Sequence, residues 1–298
     1  MKTRNTADAC HPSDALGLTY LLISGVGVVF MPITAKFSLL SGSDVYTIAF
    51  IRGLVASAIL LTIVLLTRQS LALPRHLWRD SLVVGLSSTA FVYGIVGAIV
   101  TINISLALLI VYLYPMGVAI WEHTSGVAKL NAGQWICGVI VCVGLVLILG
   151  VDFEQINLAG VVLATLAMIA AVVITLVNHR LTATQGPFSS NLYMSLWGIP
   201  FFGIGLLISG EFLEPGSVKG WMGLFGNGIA YCVAWVGFFA AARILGATRA
   251  SVISLSEPVV AGLFAWLLFN ETFSLLQWLG FFVVLSALLV FEVLARKQ

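Results

Sequence analysis

Residues 132–150 read AGQWICGVIVCVGLVLILG and contain no charged side chain. A helix of about 20 mostly apolar residues is long enough to cross the roughly 30 Å hydrocarbon core of a bilayer. Backbone groups in lipid must form their hydrogen bonds within the protein, and the alternating segments typical of a membrane β-barrel do not occur in this sequence. The stretch therefore predicts a transmembrane helix.

Similar apolar stretches recur along the chain, and the composition agrees with them. Of the 298 residues, 60% are hydrophobic and only 9% are charged, whereas soluble domains contain about 25% charged residues. We predict an all-α membrane protein with ten transmembrane helices, at residues 15–35, 45–67, 78–99, 103–124, 132–150, 158–178, 188–209, 220–242, 247–269 and 275–294.

The N-terminal segment 1–14 is polar, and the first apolar stretch lacks a small-residue cleavage site. We therefore expect a cytoplasmic tail followed by an anchoring helix rather than a cleaved signal peptide. The cysteines are scattered and mostly fall in apolar stretches, where cysteine is usually a packing residue: Cys10, Cys137, Cys142 and Cys232. We expect no disulfide framework, no metal site and no cofactor.

The positive charges predict the orientation, because Lys and Arg in short loops stay on the cytoplasmic side. With the N-terminus inside, the outer loops hold only Lys36 and Lys219, and Arg52 lies within the second apolar stretch. The predicted cytoplasmic side holds Lys2, Arg4, Arg68, Arg75, Arg79, Lys129, Arg180, Arg243, Arg249, Arg296 and Lys297. We expect both termini to be cytoplasmic and the membrane to be the inner (plasma) membrane.

The chain contains an internal repeat, in which segment 110–149 aligns without a gap on segment 253–292. The constant shift that brings position 110 onto position 253 is called the repeat offset below. Proline and the Gln-Trp pair are uncommon, and both keep their positions relative to the apolar stretches. The pattern therefore indicates a duplicated helical unit. The identical residues are Ile110/Ile253, Pro115/Pro258, Gln134/Gln277, Trp135/Trp278, Val141/Val284 and Leu145/Leu288.

The repeat extends beyond these identities. Asn131 aligns with Ser274, and each can cap the N-terminus of the apolar helix that follows. The repeat offset also aligns Gly17 with Gly160 at the start of the first and sixth stretches. Five predicted helices separate matched positions, and because five is odd the two halves must cross the membrane in opposite directions. We predict two inverted five-helix repeats, 15–150 and 151–298.

Inverted repeats are typical of secondary transporters, in which two halves move about a site near the bilayer midplane. The alternative is a duplicated membrane protein that transports nothing. We favour transport, on the analogy between folds.

The repeated residues resemble the drug/metabolite transporter superfamily, in its EamA branch, over nearly the whole chain. The likeness to the ninth and tenth helices of that family lies in Ser256-Glu257-Pro258-Val259, Leu268-Phe269-Asn270-Glu271 and Gln277-Trp278-Leu279-Gly280. The likeness to its second, fourth and fifth helices lies in Arg52, Tyr112-Leu113-Tyr114-Pro115 and Gln134-Trp135. The resemblance implies ten helices, cytoplasmic termini and a central cavity for small metabolites.

An ionisable side chain inside a bilayer costs at least about 2.5 kcal/mol on insertion scales, so each one needs a partner or a role. Glu257 precedes Pro258, whose missing N–H lets the helix bend. Its carboxylate can bind a substrate amine or a proton, or it can bond to a neighbouring helix as a structural group. Arg52 can neutralise a substrate carboxylate, pair with a buried glutamate, or reach the outer headgroups.

Tyr114 is the counterpart of Glu257 before the proline of the first half, and Glu122 lies two turns further along the same helix face. The two side chains form a polar stripe into the predicted cavity. In the other interpretation Glu122 and His123 are solvated at the cytoplasmic interface.

Aromatic residues at four-residue spacing indicate either a cavity lining or ordinary packing. On the eighth stretch this row is Asn227, Tyr231 and Trp235, and on the third it is Gly85, Thr89, Tyr93 and Gly97. Small residues four apart, such as Gly94 with Ala98 and Gly246 with Ala250, predict close helix approach.

We expect a secondary carrier that exports a small polar metabolite, an amino acid or a derivative, by alternating access. Proline kinks at Pro115 and Pro258, with Pro32 and Pro200 as further candidates, supply the bends, and Glu257 carries the proton if transport is coupled to protons. Its partners are that metabolite and the membrane lipid, with no nucleic acid; monomer and dimer both remain open. An uptake carrier for a vitamin or nucleoside-like solute is the alternative. The sequence has no P-loop, HExxH motif or Asp-rich cluster, and an enzyme or signalling protein fits less well.

Overall fold

Helices make up nearly all of the described chain. The computed structural model describes residues 12–150, 157–209, 212–261, 263 and 273–295, and these residues contain no β-strand. A short 3₁₀ turn, Arg75–Leu77, leads into the third helix, and residues 257–261 are also helical. The other helices are α1 (Pro12–Leu39), α2 (Val45–Leu66), α3 (Trp78–Thr101), α4 (Ile104–Val111), α5 (Tyr114–Thr124), α6 (Ala132–Leu149), α7 (Leu158–Ser209), α8 (Val218–Leu245), α9 (Ala247–Ser254) and α10 (Leu275–Ala295).

Within the described ranges, eight helical segments are long and apolar enough to cross a bilayer. Their ends lie within a few residues of most predicted ones. The predicted ninth span, 247–269, is described only in part, because residues 264–272 lie outside the described residues, as does the resembling stretch 268–271. The chain is a multi-pass, all-α membrane protein.

The longest of these segments, α7, is two helices joined at Gly186, whose φ of 81° and ψ of 165° are not helical. Beyond the turn the chain runs back beside itself, since the hydroxyls of Thr182 and Ser190 are 2.7 Å apart. Asn178 also donates a long, 3.5 Å hydrogen bond to Asn191, although 13 residues of straight helix would separate the two by about 20 Å. The two arms therefore match the predicted sixth and seventh spans.

Close backbone approach joins α1 to α8. A Cβ atom added at Gly27 would lie 2.5 Å from the Ala234 backbone nitrogen and 2.8 Å from the Ala230 carbonyl oxygen. The Ser24 hydroxyl donates to the Ala234 carbonyl across this interface, at 2.7 Å. Small residues thus replace the bulky side chains that would keep membrane helices apart.

The first arm of α7 packs on α3 in the same way as α1 packs on α8. In the α1–α8 pair, a Cβ at Gly237 would contact Tyr20 and Ser24. In the α3–α7 pair, a Cβ at Gly94 would contact Leu163 and Ala167, and the repeat offset relates these three residues to Gly237, Tyr20 and Ser24. The predicted packing role of Gly94 is confirmed. Gly246 instead has open space around it and a φ of 85°, so it forms the turn between α8 and α9 and the packing role predicted for it is wrong.

The predicted caps are confirmed. Asn131 accepts a hydrogen bond from the Gln134 backbone N–H, and the Gln134 side chain accepts one from the Asn131 N–H in return. Ser274 and Gln277 make the equivalent pair of bonds at the start of α10. These reciprocal bonds satisfy backbone donors that the first turn of a helix otherwise leaves free.

The contact at Gly27 predicts a sharp difference between two neighbouring glycines. Gly27→Ala forces α1 away from the α8 backbone, so we expect it to destabilise the protein by about 1–3 kcal/mol, which is the usual range for overpacking. Gly25→Ala is the control, because a Cβ there meets nothing within 4 Å. Thermal unfolding in one detergent measures both; equal midpoints for the two variants would contradict the close approach.

Candidate functional site

Two helix breaks face each other inside the bundle. The α-helical pattern is interrupted by a turn between α4 and α5, at residues 112–113, and again at residues 255–256, between α9 and the helical residues 257–261. The backbone stays hydrogen-bonded there through bonds that span three residues, such as Leu113 N–H to the Ile110 carbonyl and Leu255 N–H to the Val252 carbonyl. The repeat offset carries the first break onto the second. The hydroxyl groups of Tyr114 and Ser254 lie 2.7 Å apart and bridge the two breaks. The positions at which Pro115 and Pro258 predict bends therefore coincide with helix interruptions, whereas Pro32 and Pro200 lie inside helices.

Glu257 lies at this meeting point. It is half-buried and close enough to the hydroxyls of Tyr112 and Tyr114 to interact with them electrostatically. Its carboxylate makes no hydrogen bond or ion pair within the described part of the chain. The sequence analysis allowed a structural hydrogen bond from Glu257 to a neighbouring helix, and the described residues contain no such bond.

Arg52 lies at a second polar position, on α2. Its guanidinium carbon is 5.2 Å from the centre of the Tyr231 ring on α8 and 5.8 Å from the centre of the Phe202 ring on the second arm of α7. Both rings are buried, so the guanidinium points into the bundle and not toward the headgroups. Cation–π contacts of this kind stabilise a charge in a partly desolvated place.

Polar and aromatic side chains surround Tyr231. Ser88 and Ser195 lie beside its hydroxyl, and the Ser195 hydroxyl, on a residue only 4% exposed, has no well-formed hydrogen bond to the described chain. Trp235 lies 6.2 Å from Tyr231, measured between ring centres. The Tyr93 ring is 5.9 Å from Phe202 in the same way. Four predicted residues, Arg52, Tyr93, Tyr231 and Trp235, therefore belong to one aromatic cluster.

Glu122 lies apart from both groups, at the start of α9. It is 6% exposed, and its Oε2 accepts hydrogen bonds from the Thr248 backbone N–H at 3.0 Å and the Thr248 hydroxyl at 2.6 Å. The solvated position that we considered for Glu122 is wrong, although His123 is exposed. A carboxylate from another helix thus caps α9 and complements its dipole.

The same end of α9 carries an ion-pair cluster. Arg249 donates to Asp14 at 3.1 Å, through Nη2, and to Glu292 at 2.9 Å, through Nε. A pocket of about 170 Å³ beside this cluster is lined by Glu122, Lys129, Thr248 and Arg249, among others. Together with the Glu122 contact, these bonds tie the ends of α1, α5, α9 and α10 together on the predicted cytoplasmic side.

Other residues of the two rows predicted on the third and eighth stretches make packing contacts with neighbouring helices. Asn227 donates to the Met31 carbonyl at 2.7 Å, close to the proline at position 32. Glycines 85 and 97 of the third stretch are covered by Trp197 and Leu163 on α7. Among the described residues, no group of three or more His, Cys, Asp or Glu could hold a metal ion.

Several residues of these clusters escaped the sequence analysis. They are Ser88, Ser195, Phe202, Ser254 and Thr248, and Tyr112 was named there only as part of the family resemblance. One signal was available: the repeat offset pairs Ser195 with Arg52 and Ser88 with Tyr231. No sequence signal points to Phe202 or Thr248, because their contacts come from tertiary packing.

The fold and the paired helix breaks define a class of membrane proteins built from two related halves. Residues 15–150 and 158–292 each match the EamA-like transporter family, and the chain belongs to this family. A protein of Archaeoglobus fulgidus that carries the name uncharacterized transporter is 32% identical over 100 residues, which are 32% of this chain and 37% of that protein. A protein of known crystal structure shares the fold, with a TM-score of 0.79, 16% identity, and coverage of 95% of this chain and 98% of that one.

The bonds of Glu122 predict a structural effect. In Glu122→Ala the buried Thr248 N–H loses its acceptor, and an unsatisfied buried donor costs about 1–3 kcal/mol. We expect a lower unfolding midpoint and faster amide exchange at Thr248. Glu122→Gln keeps an oxygen acceptor, so its unfolding midpoint should fall between those of the wild type and the alanine variant. Unchanged amide exchange at Thr248 in the alanine variant would show that the cap is unimportant.

Proposed function

We propose that this protein is a secondary transporter of the inner membrane that exports a small polar metabolite, an amino acid or a derivative, by alternating access. The observation that supports this most is the meeting of two helix breaks at the bond between Tyr114 and Ser254. Transporters often build their substrate site from broken helices, because the ends of the half-helices offer free backbone groups to a ligand. Membership in a transporter family agrees with a small-molecule substrate and a lipid environment.

The proposed architecture has ten transmembrane helices in two inverted halves, 15–150 and 151–298, after an N-terminal tail of 1–14. The two arms of α7 count as separate crossings, and the helix that begins at Ala247 adds another to the eight apolar segments. The breaks, caps and glycine contacts that match under the repeat offset support duplication. Opposite directions follow from the odd number of crossings in each half.

The internal repeat supports a central position for the broken-helix site. A two-fold axis between inverted halves lies in the membrane plane, and residues that are counterparts under the repeat offset can touch only near that axis. Tyr114 and Glu257 are such counterparts and lie close together. In the proposed architecture this site is therefore near the bilayer midplane, where alternating access requires it.

The transport cycle requires the ends of the bundle to separate in turn. The bonds of Glu122 with Thr248, and of Arg249 with Asp14 and Glu292, join helices at the end that the positive charges predict to be cytoplasmic. We propose that a substrate is taken up from that side when these contacts open. Glu257 would then carry the proton or bind the substrate amine.

A metabolite comparison tests the proposal and its direction. Metabolites inside and outside cells are measured in a deletion strain and in a strain that overproduces the protein. Export predicts one compound that accumulates inside the deletion strain and outside the overproducing one. The reverse gradient would establish the uptake carrier instead, and a substrate that is chemically converted rather than moved would indicate an enzyme.

Replacement of Glu257 tests its role. Because its carboxylate makes no hydrogen bond or ion pair with the described residues, Glu257→Gln should leave the unfolding midpoint nearly unchanged. We expect transport in proteoliposomes to fall about tenfold or more, since one lost charged hydrogen bond is worth that factor. Glu214→Gln is the control, because Glu214 is an exposed residue outside the helices. Full transport by Glu257→Gln would remove Glu257 from the mechanism.

A further inference from the structure

Arg52 is held by ring faces alone within the described chain. The rings of Phe202 and Tyr231 lie against the guanidinium. The guanidinium has five N–H donors in its plane, and these contacts with ring faces do not give them hydrogen-bond acceptors. Arg52 makes no hydrogen bond or ion pair with another described residue. Cation–π contacts worth about 0.5–2 kcal/mol each offset part of the cost of a charge in a membrane, and the N–H edge remains open for an acceptor.

The described carboxylates do not fill this edge, and several of them are held by partners elsewhere. Asp14 and Glu292 pair with Arg249, and Glu122 bonds to the start of α9. The guanidinium fork matches a carboxylate better than any other common group, since two parallel N–H donors meet two oxygens. The acceptor that the site lacks is therefore an anionic group.

The surroundings of Tyr231 offer further contacts. Ser88 and Ser195 lie beside the Tyr231 hydroxyl, and the buried Ser195 hydroxyl makes no well-formed hydrogen bond within the described chain. A buried hydroxyl in this position gains from a ligand that completes its hydrogen bonding. Trp235 extends the aromatic surface, which suits an apolar or aromatic body attached to the anionic group.

Symmetry places this cluster at the centre of the proposed architecture. Under the repeat offset Arg52 corresponds to Ser195, and Ser88 corresponds to Tyr231. Ser88 and Tyr231 touch each other, as only residues near the two-fold axis can. The Arg52 cluster thus lies on the same axis as the site of Tyr114 and Glu257.

We propose, resting on the transport function proposed above, that Arg52 anchors the substrate by its anionic group and that the substrates are organic carboxylates with an apolar or aromatic body. The guanidinium edge binds the two carboxylate oxygens, and the Ser195 hydroxyl donates to one of them. Tyr231, Phe202 and Trp235 contact the body of the substrate.

Binding to the purified full chain in detergent tests the proposal without measuring flux. The probes are 3-phenylpropionate, 3-phenylpropionamide and 3-phenylpropylamine, which share a body and differ in the charge of one end. By isothermal titration calorimetry we expect the carboxylate to bind at least about tenfold more tightly than the amide or amine, the factor for one charged hydrogen bond. Equal affinities, or no binding of the carboxylate, would overturn the proposal.

Variants separate the anchor from a general effect of charge. Arg52→Gln should abolish the preference for the carboxylate, while Arg68→Gln, which removes an exposed arginine outside the helices, should preserve it. Arg52→Lys keeps the charge but not the fork and should bind with intermediate affinity. Ser195→Ala should weaken carboxylate binding severalfold and leave amide binding unchanged. An Arg52→Gln protein that is monodisperse and keeps the full preference refutes the anchor.

The two proposals fail in different ways. Transport that continues with unchanged selectivity in Arg52→Gln proteoliposomes would refute the anchor and leave the transport function standing. A carboxylate preference that depends on Arg52, in a protein that moves no metabolite across a membrane, would refute the transport function and leave the binding site standing.

Discussion

Backbone hydrogen bonding in the absence of water is the constraint on which this structure depends. In the hydrocarbon core each N–H and C=O must find a partner in the protein, so a helix can be interrupted only where other groups replace the lost bonds. At residues 112–113 and 255–256 the chain keeps its backbone bonded through turns that span three residues, and the side chains of Tyr114 and Ser254 meet beside these turns. At the start of α9, a carboxylate from α5 caps the Thr248 N–H. Polar groups are thus concentrated where the helices are broken.

Close packing of α1 on α8, and of α3 on α7, gives these breaks a rigid frame. Apolar burial drives helix association only weakly in lipid, so membrane helices rely on van der Waals contact and short interhelical bonds. Gly27, Gly94 and Gly237 each bring a backbone against the neighbouring helix.

Sequence alone predicted the helices, their caps and the two bends, because these features follow from local rules. Apolar length marks a span, Asn131 and Ser274 cap the helices that follow them, and proline marks a break. Gly186 and Gly246 adopt positive φ and form turns. The sequence did not distinguish such turn glycines from glycines that pack against a neighbouring helix. The EamA resemblance agreed with the family match over both halves.

The partners of the site could not be read from the sequence in the same way. Arg52 and Phe202 lie in different halves of the chain, and Glu122 caps a helix 126 residues later. No local pattern encodes such contacts, since they depend on how helices pack. The repeat offset was the exception: it relates Arg52 to Ser195, and a full comparison of the two halves would have brought both serines of the cluster to attention.

The chemistry at the proposed axis is asymmetric although the scaffold repeats. The repeat offset pairs each of these residues with a different residue type in the other half: Arg52 with Ser195, Tyr231 with Ser88, and Glu257 with Tyr114. Two arginines or two glutamates related by the axis would place like charges side by side in a medium of low dielectric constant, where their repulsion is strong. A hydroxyl opposite each charge avoids this repulsion and offers a hydrogen bond instead. Divergence of the two halves thus leaves Arg52 and Glu257 each without a second copy of its ionisable group at the position that the repeat offset relates to it.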